Sequence, residues 1–234
     1  AFRSGRTIDK IYVLDGCQDG PVRTIVREAK KHGSLINFVT KERLSQLSET
    51  GKHQGVIAHA AAYEYSTIDD MLKLAEERGE APFLILLDNI EDPHNLGACI
   101  RTAAAMGVEA VIVPRDRSAS LTPTARKVAA GGAEKVKFIQ VTNLARTLGQ
   151  IKEQFNVQVV GTMLDEQALP IHQFDFTGAA VCVVMGAEDT GLRPITQAQC
   201  DQKVYIPMAG NLQSLNVSVA TGMALYEACR QRNH

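Results

Sequence analysis

Residues 204–228 read VYIPMAGNLQSLNVSVATGMALYEA and change character twice. Val204-Tyr205-Ile206 is a short β-branched and aromatic run, the signature of a buried strand. Pro207 ends it, because proline has no N–H to give to a sheet ladder. Met208 to Ser214 is a loop with Gly210 and Asn211 as turn residues. Leu215 to Ala228 has helical spacing, and its beginning carries Ser214, Asn216, Ser218 and Thr221. Serine and asparagine suit a helix start better than a helix interior. A helix start presents free N–H groups and the positive end of the dipole. Strand, polar loop and polar helix start together are how an α/β protein builds a binding crevice. Taken alone, the stretch is equally a capped terminal helix packed on a sheet.

Outward from this stretch the same rhythm repeats. Strands are expected at 83–87, 110–113, 136–140, 157–161, 180–185 and 203–206, and helices at 95–106, 123–130, 142–154, 194–199 and 215–230. Continuous apolar runs such as FLILL and AVCVVM suit strands covered on both faces. The pattern is an α/β fold, a parallel sheet of roughly six strands with helices on both sides. Ahead of it, 10–14, 35–39 and 55–60 read as strands and 22–31 and 41–47 as helices, with Pro21 at the first helix start and Gly33 past its end. This front part, residues 1–65, reads as a small α/β module. Residues 66–81 read as a connecting helix opened by Thr67, and 82–234 as the larger domain.

Composition narrows the class. The chain has 234 residues, net charge −1, 45% hydrophobic and 22% charged residues, which describes a globular protein of one large or two smaller domains. No apolar run approaches the roughly 20 residues of a membrane helix, and no signal-peptide pattern appears. The chain opens at Ala1 inside a basic segment, so residues before it are expected to be missing. Cys17, Cys99, Cys182, Cys200 and Cys229 form no C-x-x-C pair, so no metal site is expected. Reduced cysteines among apolar neighbours point to the cytoplasm. Residues 1–66 hold 10 Lys+Arg against 7 Asp+Glu, and residues 67–234 hold 15 against 19. A mildly basic front beside a mildly acidic body suits a polyanion-binding module joined to something else.

Three loops converge on the rim where a parallel sheet binds ligands. The first, D-N-I-E-D-P-H-N-L-G-A-C-I-R, has a turn at Asp92-Pro93, a helix cap expected at Asn95, and Gly97 for close backbone approach. Arg101 follows on a helix otherwise small and apolar, either a solvated arginine or a phosphate contact. The second, G-A-E-D-T-G-L-R-P, sets Glu188 between Gly186 and Gly191. The third is the opening stretch, with Gly161-Thr162 close by. Familiar alternatives are missing: no G-x-G-x-x-G after the first strand, no phosphate loop with G-K-[ST], and no G-x-S-x-G elbow.

As a set, Asn95-x-Gly97-x-x-x-Arg101, Gly186-x-Glu188-x-x-Gly191, and Ile206-Pro207-Met208 followed by SLNVSVA at 214–220 resemble the SpoU (TrmH-type) RNA ribose 2′-O-methyltransferases of the SPOUT superfamily. The likeness covers about 82–234. The front end, with HQG at 53–55, is similar to the substrate-binding domain of the branch that acts on guanosine in large-subunit (23S) rRNA, as are DPHNLGACIRTA, RDRSA and TNLARTL. The resemblance implies S-adenosylmethionine as cofactor, rRNA as partner, a homodimer, a C-terminal trefoil knot, and a front domain like ribosomal protein L30e. It implies cofactor contacts at Thr162, Gly186, Ile206, Met208, Ser214 and Leu215. It implies Asn95, Arg101, Glu188, Asn216 and Ser218 at the reacting ribose, with the other four holding Arg101. RNA contacts are expected at Arg115, Arg117, Arg126 and Lys127, a basic run that is otherwise a solvated surface. His53 and Gln54 are a further RNA contact or a plain turn. Two other readings stay open: a non-catalytic RNA-binding knot protein, and a tRNA ribose methyltransferase.

Overall fold

In the computed structural model the described residues are 8–17, 19–31, 34–48, 53–60, 65–79, 81–177, 180–211 and 214–232. Gly33, expected as a helix stop, and residues 212–213 of the polar loop lie outside them. The chain divides into two compact units, 1–64 and 65–234.

In the first unit, β1 (Ile8–Leu14) is central, parallel to β2 (Leu35–Val39) and antiparallel to β3 (Val56–Ala60). Helix α1 (Gly20–Lys31) lays Val22 and Ala29 on Ile8, Ile11 and Val13. Helix α2 (Lys41–Leu47) starts at Thr40, whose hydroxyl accepts the Arg43 N–H, and buries Leu44.

The second unit opens with α3 (Ile68–Arg78). Thr67 and Asp70 cap each other reciprocally there, Thr67 N–H to Asp70 Oδ2 at 2.7 Å and Asp70 N–H to Thr67 Oγ1 at 3.1 Å. Met71 enters the core of this unit, so the connecting helix packs against the larger body. The strands β4 (Phe83–Leu87), β5 (Ala110–Pro114), β6 (Lys137–Val141), β7 (Gln158–Thr162), β8 (Leu169–Pro170), β9 (Val181–Met185) and β10 (Gln202–Tyr205) form one sheet. Its order is β6-β5-β4-β9-β7-β10-β8, and every pairing is parallel. β8, two residues long, is the strand missed by sequence periodicity, which needs four or more residues to register. β4, β5 and β9 are buried at all five positions, as their unbroken apolar sequence requires.

The helices are α4 (Pro93–Ala105), α5 (Pro123–Ala129), α6 (Leu144–Phe155), α7 (Pro194–Gln197) and α8 (Val217–Arg232). Two of the boundaries that differ from expectation bear on the site. Asp92, not Asn95, caps α4, accepting the His94 N–H at 3.0 Å, because Pro93 is preorganised for the first helical position. Asn95 lies in the first turn instead. α8 begins at Val217, so Asn216 and Ser218 stand at its start: Asn216 Oδ1 accepts the Ser218 N–H at 2.9 Å.

The chain lays down β4, β5 and β6 in one direction, then returns to the other side of β4 for the remaining strands. The strand order reverses at β4 and β9, and the crevice of an open α/β sheet forms at such a reversal.

Candidate active site

The loop after β9 is folded tightly back on itself. Gly191 N–H donates to Ala187 O at 2.9 Å, and Gly191 takes a left-handed φ of +62°. A Cβ on Gly186 would lie 2.3 Å from the Gly191 carbonyl carbon. Only glycine at 186 permits this fold, which brings Glu188 to the start of α8.

Glu188 then organises the site. Its Oε1 accepts Asn216 Nδ2 at 2.6 Å and the Val217 N–H at 3.0 Å. The carboxylate thereby caps α8 and meets the positive end of its dipole. Asn216 Nδ2 also donates to Asn95 Oδ1 at 3.1 Å, and Ser218 Oγ donates to Asn216 Oδ1 at 2.6 Å. Asn95, Glu188, Asn216 and Ser218, spread over 124 positions of sequence, form one hydrogen-bonded cluster joining three loops.

Arg101 stands outside that cluster. Six helical residues turn about 240° net and advance about 9 Å, so Arg101 cannot share the face of Asn95. It is exposed on α4 and makes no hydrogen bond or ion pair among the described residues. Within one chain, Asn95, Glu188, Asn216 and Ser218 bond to one another rather than to Arg101.

Beside the cluster lies a cavity of about 430 Å³ over the carboxyl ends of β7, β9 and β10. All six positions expected to hold the cofactor line it: Thr162, Gly186, Ile206, Met208, Ser214 and Leu215. Thr162 Oγ1 donates to Val184 O at 2.9 Å, tying β7 to β9 at the cavity floor. Sequence reasoning missed Leu164, Tyr205 and Gln197 on the same wall. Their signal was positional, since each lies at a strand end or in the loop or helix that follows. The walls are apolar side chains interrupted by turning backbone, and the volume suits a nucleoside-sized ligand.

Beneath the rim, Asp88 is fully buried at the end of β4, and Arg193 reaches it from the far side of the glycine loop. Sequence reasoning passed over this pair. An acid directly after five apolar residues was the available signal, since a buried charge needs a partner.

The basic residues expected at RNA are dispersed. Arg115 is half-buried at the end of β5, and Arg117 is exposed with φ +54°. Arg126 pairs with Glu134 at 2.8 Å, while Lys127 is exposed on α5. In the first unit, Gly55 N–H donates to His53 Nδ1 at 3.4 Å, and His53 Nε2 lies 3.3 Å from Ser45 Oγ. Gly55 has φ +77°, so His53-Gln54-Gly55 is a turn stabilised by its own histidine. Gln54 is exposed.

Comparison with known proteins fits this geometry. The pattern of the SpoU rRNA Methylase family matches residues 82–226, and that of RNA 2′-O ribose methyltransferase substrate binding matches 1–66. A relative from Acinetobacter baylyi, the 23S rRNA (guanosine-2′-O-)-methyltransferase RlmB, is 63% identical over 95% of this chain and 89% of its own. The RlmB of Escherichia coli K12 is 42% identical over 99% and 93%. Among solved structures, the SpoU methyltransferase AviRb from Streptomyces viridochromogenes, in complex with AdoMet, superposes with TM-score 0.64 at 22% identity, over 98% of this chain and 85% of that one. The TrmH/SpoU tRNA modifying enzyme of A. aeolicus gives 0.59 at 32% identity, over 70% and 84%. The glycine loop, the carboxylate cap and the cavity all fall inside the matched span, and the chain belongs to the SpoU rRNA methylase family.

Proposed function

We propose that this protein transfers a methyl group from S-adenosylmethionine to a ribose 2′-hydroxyl of RNA, on a guanosine of 23S rRNA. The observation that carries the proposal is the Glu188–Asn216–Asn95 cluster at the mouth of a nucleoside-sized cavity. S-adenosylmethionine, when bound, supplies an electrophilic methyl on a sulfonium. Thr162, Gly186, Ile206, Met208, Ser214 and Leu215 are the residues that would hold it.

The chain's own part is alignment and charge. A 2′-hydroxyl is a weak nucleophile at neutral pH, so it must be oriented and relieved of its proton. Asn95, Asn216 and Ser218 offer amide and hydroxyl groups to the ribose from fixed positions, because each is already bonded to a neighbour. Arg101 binds an RNA phosphate and offsets negative charge developing on the 2′-oxygen. A guanidinium keeps its proton, so Arg101 is not the base.

The working unit of this reading is a homodimer in which Arg101 serves the partner's site. Two observations support it. Arg101 is exposed and uncommitted among the described residues. α8 buries Thr221, Ala224, Leu225 and Ala228, yet also exposes Val219, Met223 and Tyr226 along a second stripe. A helix apolar on both sides is suited to a second packing partner.

The front unit would bind rRNA in the manner of an L30e-like domain, with His53 and Gln54 contributing, and in the larger unit Arg115, Arg117, Arg126 and Lys127 would contact the RNA backbone. The resemblance implies a trefoil knot for this domain, and the entry of β10 between two earlier strands is compatible with one. No helix among the described residues is long and apolar enough to cross a membrane, and a cytoplasmic site of action fits an rRNA substrate.

The test is tritiated methyl transfer to undermethylated 23S rRNA and to tRNA, with the product mapped. Label on the ribose of one rRNA guanosine is the expected result. Label on a base would overturn the chemistry, and label on tRNA alone would overturn the substrate.

A further inference from the structure

A second opening, of about 390 Å³, lies at the carboxyl ends of β5 and β6, away from the cofactor cavity. Its walls carry Arg115, Gln140, Asn143, Arg146 and Gln150, and none of its lining residues is acidic. Local structure explains the convergence. Asn143 caps α6, and positions 143, 146 and 150 fall on one helix face. Arg115 arrives from the end of β5, where its N–H donates to Val141 O at 2.8 Å. The Arg146 side chain is exposed and has no hydrogen-bond or ion-pair partner among the described residues. Two guanidinium groups and three amides surround a space large enough for a nucleotide. Guanidinium forks match the oxygens of a phosphate.

This opening and the methyl-transfer site stand on one rim. Hydrogen bonds join the intervening loops: Asp88 N–H to Met185 O at 2.8 Å, Ala119 N–H to Ile90 O at 2.7 Å, and the Arg115 bond above. In the order β9-β4-β5-β6, three strand spacings separate the Glu188 loop from the opening, about 14 Å. That is a span of a few nucleotides in a single strand.

We propose that the Arg115–Arg146 opening seats a backbone phosphate of the substrate RNA, a few nucleotides from the methylated ribose, with Gln140, Asn143 and Gln150 bonding the adjoining sugar. The proposal rests on the reading of this chain as an RNA methyltransferase. The seat fixes the register of the strand, which determines the ribose delivered to Asn95 and Asn216.

The test uses the full chain and an unmodified transcript of the 23S rRNA region that the wild type methylates. RNA affinity is read by fluorescence anisotropy, S-adenosylmethionine affinity by calorimetry, and transfer by tritium. Arg146→Glu is expected to weaken RNA binding at least tenfold, with cofactor affinity within twofold. Arg146→Ala is expected to lower the salt slope of RNA binding by about one. A single neutral methylphosphonate, walked along the RNA, should weaken wild-type binding at one position near the target and be silent there in Arg146→Ala. RNA affinity of Arg146→Glu within twofold of wild type would overturn the proposal. So would a parallel loss of cofactor binding, which marks a structural role, or the absence of any position silent in Arg146→Ala. If the wild type binds the transcript but transfers nothing, the methyltransferase reading fails while anisotropy still decides the seat.

Discussion

Asp88 and Arg193 stand 105 residues apart in sequence, yet Arg193 Nε donates to Asp88 Oδ1 at 2.7 Å and the Arg193 backbone N–H to Oδ2 at 3.1 Å. Asp88 is fully buried, while the Arg193 side chain is about a quarter exposed, at 26%. The pair pins the loop that carries Gly186 and Glu188 to the end of β4, so the cavity wall and the Glu188–Asn216 cluster share one anchor.

Removing the arginine leaves a buried carboxylate without its countercharge. Arg193→Ala is expected to cost about 3 kcal/mol, the low end for a broken buried pair because water reaches the vacated side. For a unit of this size that lowers Tm by roughly 6–12 °C. Asp88→Asn keeps the volume and one acceptor, and should cost about half as much. Thermal unfolding with calorimetric titration of S-adenosylmethionine checks both, and cofactor affinity should fall with stability.

Glu188 separates differently. Its carboxylate bonds Asn216 and the start of α8 at the rim, not in the core. Glu188→Ala should lose about 1 kcal/mol of capping, yet reduce kcat on RNA at least a hundredfold, because Asn216 loses the acceptor that fixes it beside Asn95. A variant that loses cofactor binding in proportion to activity would show that Glu188 shapes the cavity rather than the reacting ribose.

Two glycines give opposite signs for one substitution. A Cβ on Gly97 would lie 2.4 Å from Ala125 O and 2.8 Å from Val128 Cβ, so Gly97→Ala forces α4 and α5 apart at about 1–3 kcal/mol. Gly149 lies inside α6 with nothing within 4 Å of an added Cβ. Gly149→Ala should therefore raise stability by about 0.5–1 kcal/mol. Urea denaturation of both variants measures the contrast, and equal shifts would refute the packing argument.

The thiols report the core. Burial pushes Cys99 and Cys200 up to about 11 and raises Cys182 as well. At pH 8 a thiol of pKa 11 is about one part in a thousand thiolate, the reactive form. Native protein is expected to leave these three unalkylated by iodoacetamide, and denatured protein to expose all five cysteines to it. Modification of Cys182 in native protein would show that β9 opens.

Much of the architecture was legible in the sequence, for identifiable reasons. FLILL and VCVVM are unbroken apolar runs, and burial on both faces leaves them no alternative to central parallel strands. The cavity positions came from the resemblance to the SpoU family, while strand-end glycines alone marked only which loops could approach a ligand. What stayed hidden was pairing at long range. Asp88 gives no local sign of Arg193, since their meeting depends on β4 and β9 lying side by side. The cap of α4 was misassigned because Asp92 and Asn95 are both good caps, and only Pro93 decides between them. The family resemblance groups Arg101 with Asn95, and rotation about the helix axis sets the two on different faces of α4.

β10 has a consequence for how the molecule is made. It slots between β7 and β8, both translated earlier, and its far end leads into the loop and helix that complete the cavity. Until β10 emerges, β7 keeps a free edge and the unit lacks one wall, so a nascent chain can neither close its sheet nor retain ligand. Contacts between such distant segments form slowly. The protein becomes competent in a single late step, when its final seventh is in place, and a chain truncated before β10 would be inert rather than partly active.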